Sequence, residues 1–136
     1  MLGLSVRTQE LGDATRAVLA HEIALYKRLR PILDESATFL LAPQPVALPD
    51  VAWSGWEAVE HLSTRTGDAI VMAFESPNAP SSVVVRLRGL QPAASYEVES
   101  ADNGVLGSAT GADLMTAGVL LQSSLSRAHI LIIRVQ

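Results

Sequence analysis

The chain has 136 residues, enough for one domain with an adequate apolar core. Hydrophobic residues make up 49% and charged residues 18%, a globular composition and not a disordered one. A formal net charge of -4 gives no basic footprint for nucleic acid or anionic lipid, and Cys 0 excludes disulfides, zinc-thiolate sites and thiol catalysis.

Met1 to Val6 is too short for the apolar core of a signal peptide, and Arg7 and Glu10 follow at once. No run of roughly 18 uncharged apolar residues is present, so no spanning helix and no membrane partner are expected. The absence of cysteine fits the cytosol or a robust secreted domain, and with no leader in view the reading leans to the cytoplasm.

One segment has a clear helical period. Asp13 is placed to act as an N-cap, and apolar residues recur at Ala14, Ala17, Val18, Leu25, Leu29, Ile32 and Leu33. Pro31 lacks an N–H and crowds the carbonyl four residues back, so the helix is expected at about 13–30, with a further turn to Leu33. Ala17-Val18-Leu19-Ala20 is apolar almost all round, which fits a helix built to pack in a larger body or to self-associate, and suggests sequence upstream. Residues 1–35 therefore read as an N-terminal segment and helix. The remainder, 36–136, reads as a separate antiparallel β-sandwich.

Leu41 to Asp50 is a stiff, Pro-rich connector. From Trp53 onward the pattern changes to short strand-like runs. Trp56, Ala58 and Leu62 alternate with polar partners; Ala69 to Phe74 is continuously apolar; Ser82 to Leu87 is β-branched and runs into the corner Gly89-Leu90-Gln91-Pro92. In Ser95 to Ser100, Tyr96 and Val98 share one face while Glu97 and Glu99 share the other. Asp102-Asn103-Gly104 signals a tight hairpin turn, and Val119 to Gln122 and His129 to Val135 complete the set. The expected fold is mainly β: an antiparallel sandwich of about six to eight strands with one N-terminal α-helix and no helical pattern between the strands.

No catalytic constellation emerges. A pair of carboxylates about 5 Å apart could serve as nucleophile and general acid, yet nearly all the acidic residues, Glu60 among them, read as turn, cap or outward strand positions. Glu97 and Glu99 are spaced as a pair but read as a solvated face. His21, His61 and His129 show no metal-ligand spacing, so neither metal nor cofactor is expected. Ser123, Ser124 and Ser126 form a turn without an evident base. Trp53 is the one candidate ligand-binding residue, since an indole face stacks on a sugar and it adjoins the connector; Trp56 is assigned to the core. Tyr96 is expected to bury its ring and anchor its hydroxyl on a backbone group.

Several of these runs, in this order, resemble a known family. Ile23-Ala24-Leu25-Tyr26-Lys27-Arg28-Leu29-Arg30-Pro31-Ile32-Leu33 is similar to the last helix of a catalytic barrel. Phe39-Leu40-Leu41, Trp56 to His61, Ala69 to Phe74, the corner Arg86 to Tyr96 and Gly111-Ala112-Asp113-Leu114-Met115 resemble the closing β-domain of family 36 glycoside hydrolases, the α-galactosidases and their relatives. His61 stands where that family often has an aromatic residue. The resemblance implies a non-catalytic accessory domain that buttresses a barrel, the barrel carrying the two catalytic aspartates. A free-standing carbohydrate-binding or protein-interaction module is the alternative, the former requiring an exposed Trp53.

Overall fold

The computed structural model describes residues 12–42 and 54–136. The chain divides into two compact units, Met1–Pro31 and Ile32–Gln136.

Helix α1 runs over Asp13–Leu33, through Pro31. Because the proline lies in the last turn, only one intrahelical bond is lost and two further residues complete the helix. The Gly12 carbonyl accepts the first helical bond from the Arg16 N–H at 3.0 Å, so Gly12, and not Asp13, occupies the N-cap position. Asp13 is the first helical residue and pairs with Arg16 at 3.4 Å, its charge still well placed for the positive end of the helix dipole.

The described residues of the second unit form eight strands: β1 (Ser36–Leu40), β2 (Trp56–Ser63), β3 (Ala69–Glu75), β4 (Ser82–Val85), β5 (Ser95–Ser100), β6 (Gly104–Thr110), β7 (Val119–Gln122) and β8 (Ala128–Val135). All pairings are antiparallel. Six strands form one sheet in the order β1-β2-β3-β8-β5-β6, and β4 and β7 form a second. β3 is apolar on both faces because both are covered: Val71 faces the sandwich core while Ile70, paired with Ile132, is buried on the other side.

The core lies between the sheets. Trp56, Ala58, Val71, Tyr96, Val98, Leu131 and Ile133 come from the large sheet, and Val85, Leu87, Leu90, Leu114 and Leu121 from the covering layer. Leu114 belongs to a short second helix, α2 (Gly111–Thr116), which the pattern of apolar residues had not revealed. A Thr110 cap builds it: the Thr110 Oγ1 accepts from the Asp113 N–H at 3.1 Å and donates to the Asp113 carboxylate at 2.6 Å. Six residues are too few for a helical period to show, so the Thr-x-x-Asp spacing was the available signal.

Two buried serines close the hairpins. The Ser63 hydroxyl accepts from the amides of Arg65 and Thr66, and the Ser100 hydroxyl from those of Asp102 and Asn103. Each satisfies turn N–H groups at the end of its strand. In the β5–β6 hairpin the register shifts between Val98 and Glu99, opposite Gly107 and Val105, so Leu106 is the extra residue of a bulge on the outermost strand.

Candidate functional site

The chemistry-bearing side chains gather at three places. The first is the corner after β4. Tyr96 is fully buried, and its hydroxyl accepts from the Gln91 N–H at 3.0 Å, as expected of a corner tyrosine. The corner is clamped further by backbone bonds from Gly111 N–H to Ala94 O at 2.9 Å and from Ala112 N–H to Pro92 O at 3.0 Å. Gly111 approaches so closely that a Cβ there would sit inside the van der Waals surface of Gln91 O, 2.9 Å from Gln91 C and 3.1 Å from Tyr96 Cε2.

The second place lies under the same corner. Glu60 does not point outward as expected; it is fully buried on the core face of β2, with Phe39 opposite it on β1 and Val71 on β3. Its Oε2 accepts from the Arg88 N–H at 2.7 Å, while among the described residues its Oε1 has no partner. Burial pushes the carboxyl up to about 7, against the Arg88 N–H bond and the Arg88 charge, which pull it down. The signal was present in the sequence: Glu60 shares its parity with Trp56, Ala58 and Leu62, and strand alternation places all four on one face.

The third place joins β3, the turn after β7 and the start of β8. Trp56 is a core residue as expected, its indole N–H donating to Pro80 O at 2.8 Å. The His129 ring lies 5.4 Å from it, centroid to centroid, tilted by 37°. Ser124 Oγ is 3.4 Å from His129 Nε2, and Glu75 accepts from Ser123 Oγ at 2.6 Å and from the Ser124 N–H at 3.1 Å. The serine turn therefore does have a histidine beside it, five residues on at the start of β8.

Serine, histidine and glutamate in one corner invite comparison with a hydrolytic triad, and the bonding argues against it. In a triad the carboxylate orients the histidine. Here Glu75 is bonded to the serine turn instead, and Ser124 Oγ is shared with Ser126 Oγ at 3.1 Å. Those bonds hold the Glu75 carboxyl below its ordinary range, led by the Ser123 hydroxyl. The arrangement works as a clasp that fixes the β7–β8 connection to the end of β3. Beside it opens a groove of about 360 Å3, lined by Ser100, Asn103, Leu106, Leu120, Ser124 and His129.

The remaining candidates stay apart. Trp53 lies outside the described residues. Glu99 pairs with Arg134 at 3.6 Å and Glu97 sits opposite Arg134 in the sheet register, so the two carboxylates belong to a sheet face with its own counter-charge. His61 Nδ1 is 3.1 Å from Thr38 Oγ1 across β1 and β2. Among the described residues there is no group of three or more metal-ligating side chains, and no helix is long and apolar enough to cross a membrane.

Two antiparallel sheets closed by a tyrosine-anchored corner define an antiparallel β-sandwich. Residues 54–131 match the model of the glycosyl hydrolase family 36 C-terminal domain, and the chain belongs to that family. Solved structures share the fold. The family 36 α-galactosidase AgaA from Geobacillus stearothermophilus superposes with a TM-score of 0.72 at 24% identity, over 95% of this chain and 17% of its own. The galactosidase domain of the α-galactosidase-sucrose kinase AgaSK gives 0.70 at 24%, over 96% and 17%. The α-galactosidase from Lactobacillus brevis gives 0.71 at 17%, over 96% and 18%. This chain thus spans less than a fifth of the length of these structures. None of the curated proteins matches it in sequence.

Proposed function

We propose that this chain is the non-catalytic closing domain of an α-galactosidase-like glycoside hydrolase, with residues 1–35 supplying the last helix of the catalytic barrel and 36–136 the sandwich that buttresses it. The family match over residues 54–131 carries this reading, together with solved relatives in which the matched part is 17–18% of an α-galactosidase chain. The bonding of the polar side chains supports it: the serine turn, Glu75 and Tyr96 each hold backbone, and none presents a free nucleophile beside an oriented base. The helix supports it too. Ala14, Ala17, Ala20 and Ala24 are exposed, and Val18 is 62% exposed, an apolar surface of the kind that marks an interface.

The test is the reading frame upstream of the Met1 codon, with an assay of the isolated chain on an aryl α-galactoside. An in-frame barrel bearing two suitably placed aspartates, and no turnover by the chain alone, are expected. A stop codon and ribosome-binding site directly before Met1 would sink the barrel-tail reading and leave the free-standing module; turnover by the chain alone would sink the non-catalytic one.

A further inference from the structure

We propose that Glu60 is a proton-operated latch beneath the Arg88–Leu90 corner: its neutral carboxyl holds the corner against β2, and its ionisation loosens the corner. The inference is independent of any parent enzyme, because it rests on contacts within the sandwich.

The corner is the lid over this carboxyl. Leu87 and Leu90 are buried anchors on either side of it, and the Arg88 N–H between them donates to Glu60 Oε2. Gly89, at φ +70°, lies so close to β2 that a Cβ would come within 2.9 Å of Leu62 Cδ2. The corner therefore rests on the strand that carries Glu60.

The surroundings are apolar. β1 presents Phe39, β3 presents Val71, and β2 itself presents Ala58 and Leu62 on this face. The Glu57 and His61 side chains alternate to the opposite face, and His61 bonds Thr38 there. Among the described residues the charge that acts on Glu60 is that of Arg88.

Among the described residues one oxygen of this carboxylate has no donor, and a buried charge without full hydrogen bonding is costly. The neutral acid relieves that cost, which is why burial pushes its titration up to about 7. Above that range the charge must reach water, and the segment bonded to Oε2 is the one that has to yield. Arg86 and Arg88 are exposed on this corner and border a groove with Leu41, Val84 and Met115. Loosening it therefore reshapes a cationic patch on an otherwise acidic chain.

The test uses the 136-residue chain. The Glu60 side-chain carboxyl carbon is followed by NMR between pH 4 and 9, and amide exchange at Arg88 is measured at pH 6 and pH 8 after correction for intrinsic base catalysis. Wild-type protection at Arg88 should fall about tenfold over those two units, as expected for an opening linked to one ionisation near pH 7. The Asn103 amide, held by Ser100 in a separate hairpin, should not follow it. In Glu60→Gln the Arg88 change should shrink to less than about twofold. An ordinary carboxylate titration at Glu60, or equal loss of protection in wild type and Glu60→Gln, overturns the proposal. If Glu60→Gln does not fold, the wild-type titration and the Arg88–Asn103 contrast still decide it.

Discussion

Replacing Gly111 with alanine sets two forces against each other. Gly111 is the first residue of α2, and intrinsic helix propensity favours alanine over glycine by up to about 1 kcal/mol. The packing demands the reverse. The added Cβ would overlap Gln91 O, a backbone atom that cannot swing aside as a side chain would, and would press on the Tyr96 ring. The corner must then move from the start of α2, straining the Gly111–Ala94, Ala112–Pro92 and Gln91–Tyr96 hydrogen bonds together. Overpacking of this kind costs about 1–3 kcal/mol, and each weakened bond adds about 0.5–1.5 kcal/mol. A net loss of about 3–5 kcal/mol is expected, a large fraction of the ~5–15 kcal/mol that holds a typical domain. Urea denaturation followed by tryptophan fluorescence measures it. With a slope of about 1–3 kcal/mol/M, the midpoint should fall by roughly 2 M. An unchanged or raised midpoint would mean that propensity outweighs the contact, and the account of the corner would be wrong.

Other outcomes follow from the same contacts. Tyr96→Phe leaves the Gln91 N–H without its acceptor at the rim of the core and should cost about 1 kcal/mol, read from the same urea midpoint. Trp56→Phe removes the indole donor to Pro80 O and part of the packing on His129, so about 1–3 kcal/mol should be lost; a change below about 0.5 kcal/mol would show that the indole N–H has no structural part. Glu75→Gln addresses the acid limb. Because the folded-state value of Glu75 is lowered, its contribution is present above the ordinary carboxylate value and is lost as the pH falls through the folded one. Denaturation midpoints between pH 3 and 6 should therefore fall less steeply with acid in Glu75→Gln than in wild type, and parallel curves would remove Glu75 from the clasp.

The elements legible in the sequence were those whose signals are local. Alternation marked β5, the continuous apolar run of β3 reported a strand covered on both faces, and the Asp102-Asn103-Gly104 turn placed the β5–β6 hairpin. Tyr96 could be assigned its buried ring and backbone anchor because the corner and the tyrosine lie within one short stretch. What escaped was either too short or too distant. α2 is less than two turns long, so its cap had to stand in for a period. The approach of His129 to Trp56 depends on β3 pairing with both β2 and β8, a connection no local pattern encodes. Glu60 was misplaced for another reason: residue type was weighed above strand parity, and a carboxyl that can stay protonated is the case in which parity wins.

The position of β8 governs the order in which this sandwich can be assembled. It follows every other strand in sequence, yet it lies in the middle of the large sheet, hydrogen-bonded to β3 on one side and β5 on the other. Before it arrives, β1-β2-β3 and β5-β6 are two separate ribbons that share no ladder, each with an open edge where the other will later be bridged. Closing the sheet is therefore a late, long-range event, of the kind that slows folding because loop-closure entropy precedes the reward. A chain still emerging from the ribosome carries the β3 and β5 edges uncovered until β8 is released, which is the interval in which a neighbouring chain could pair with them instead.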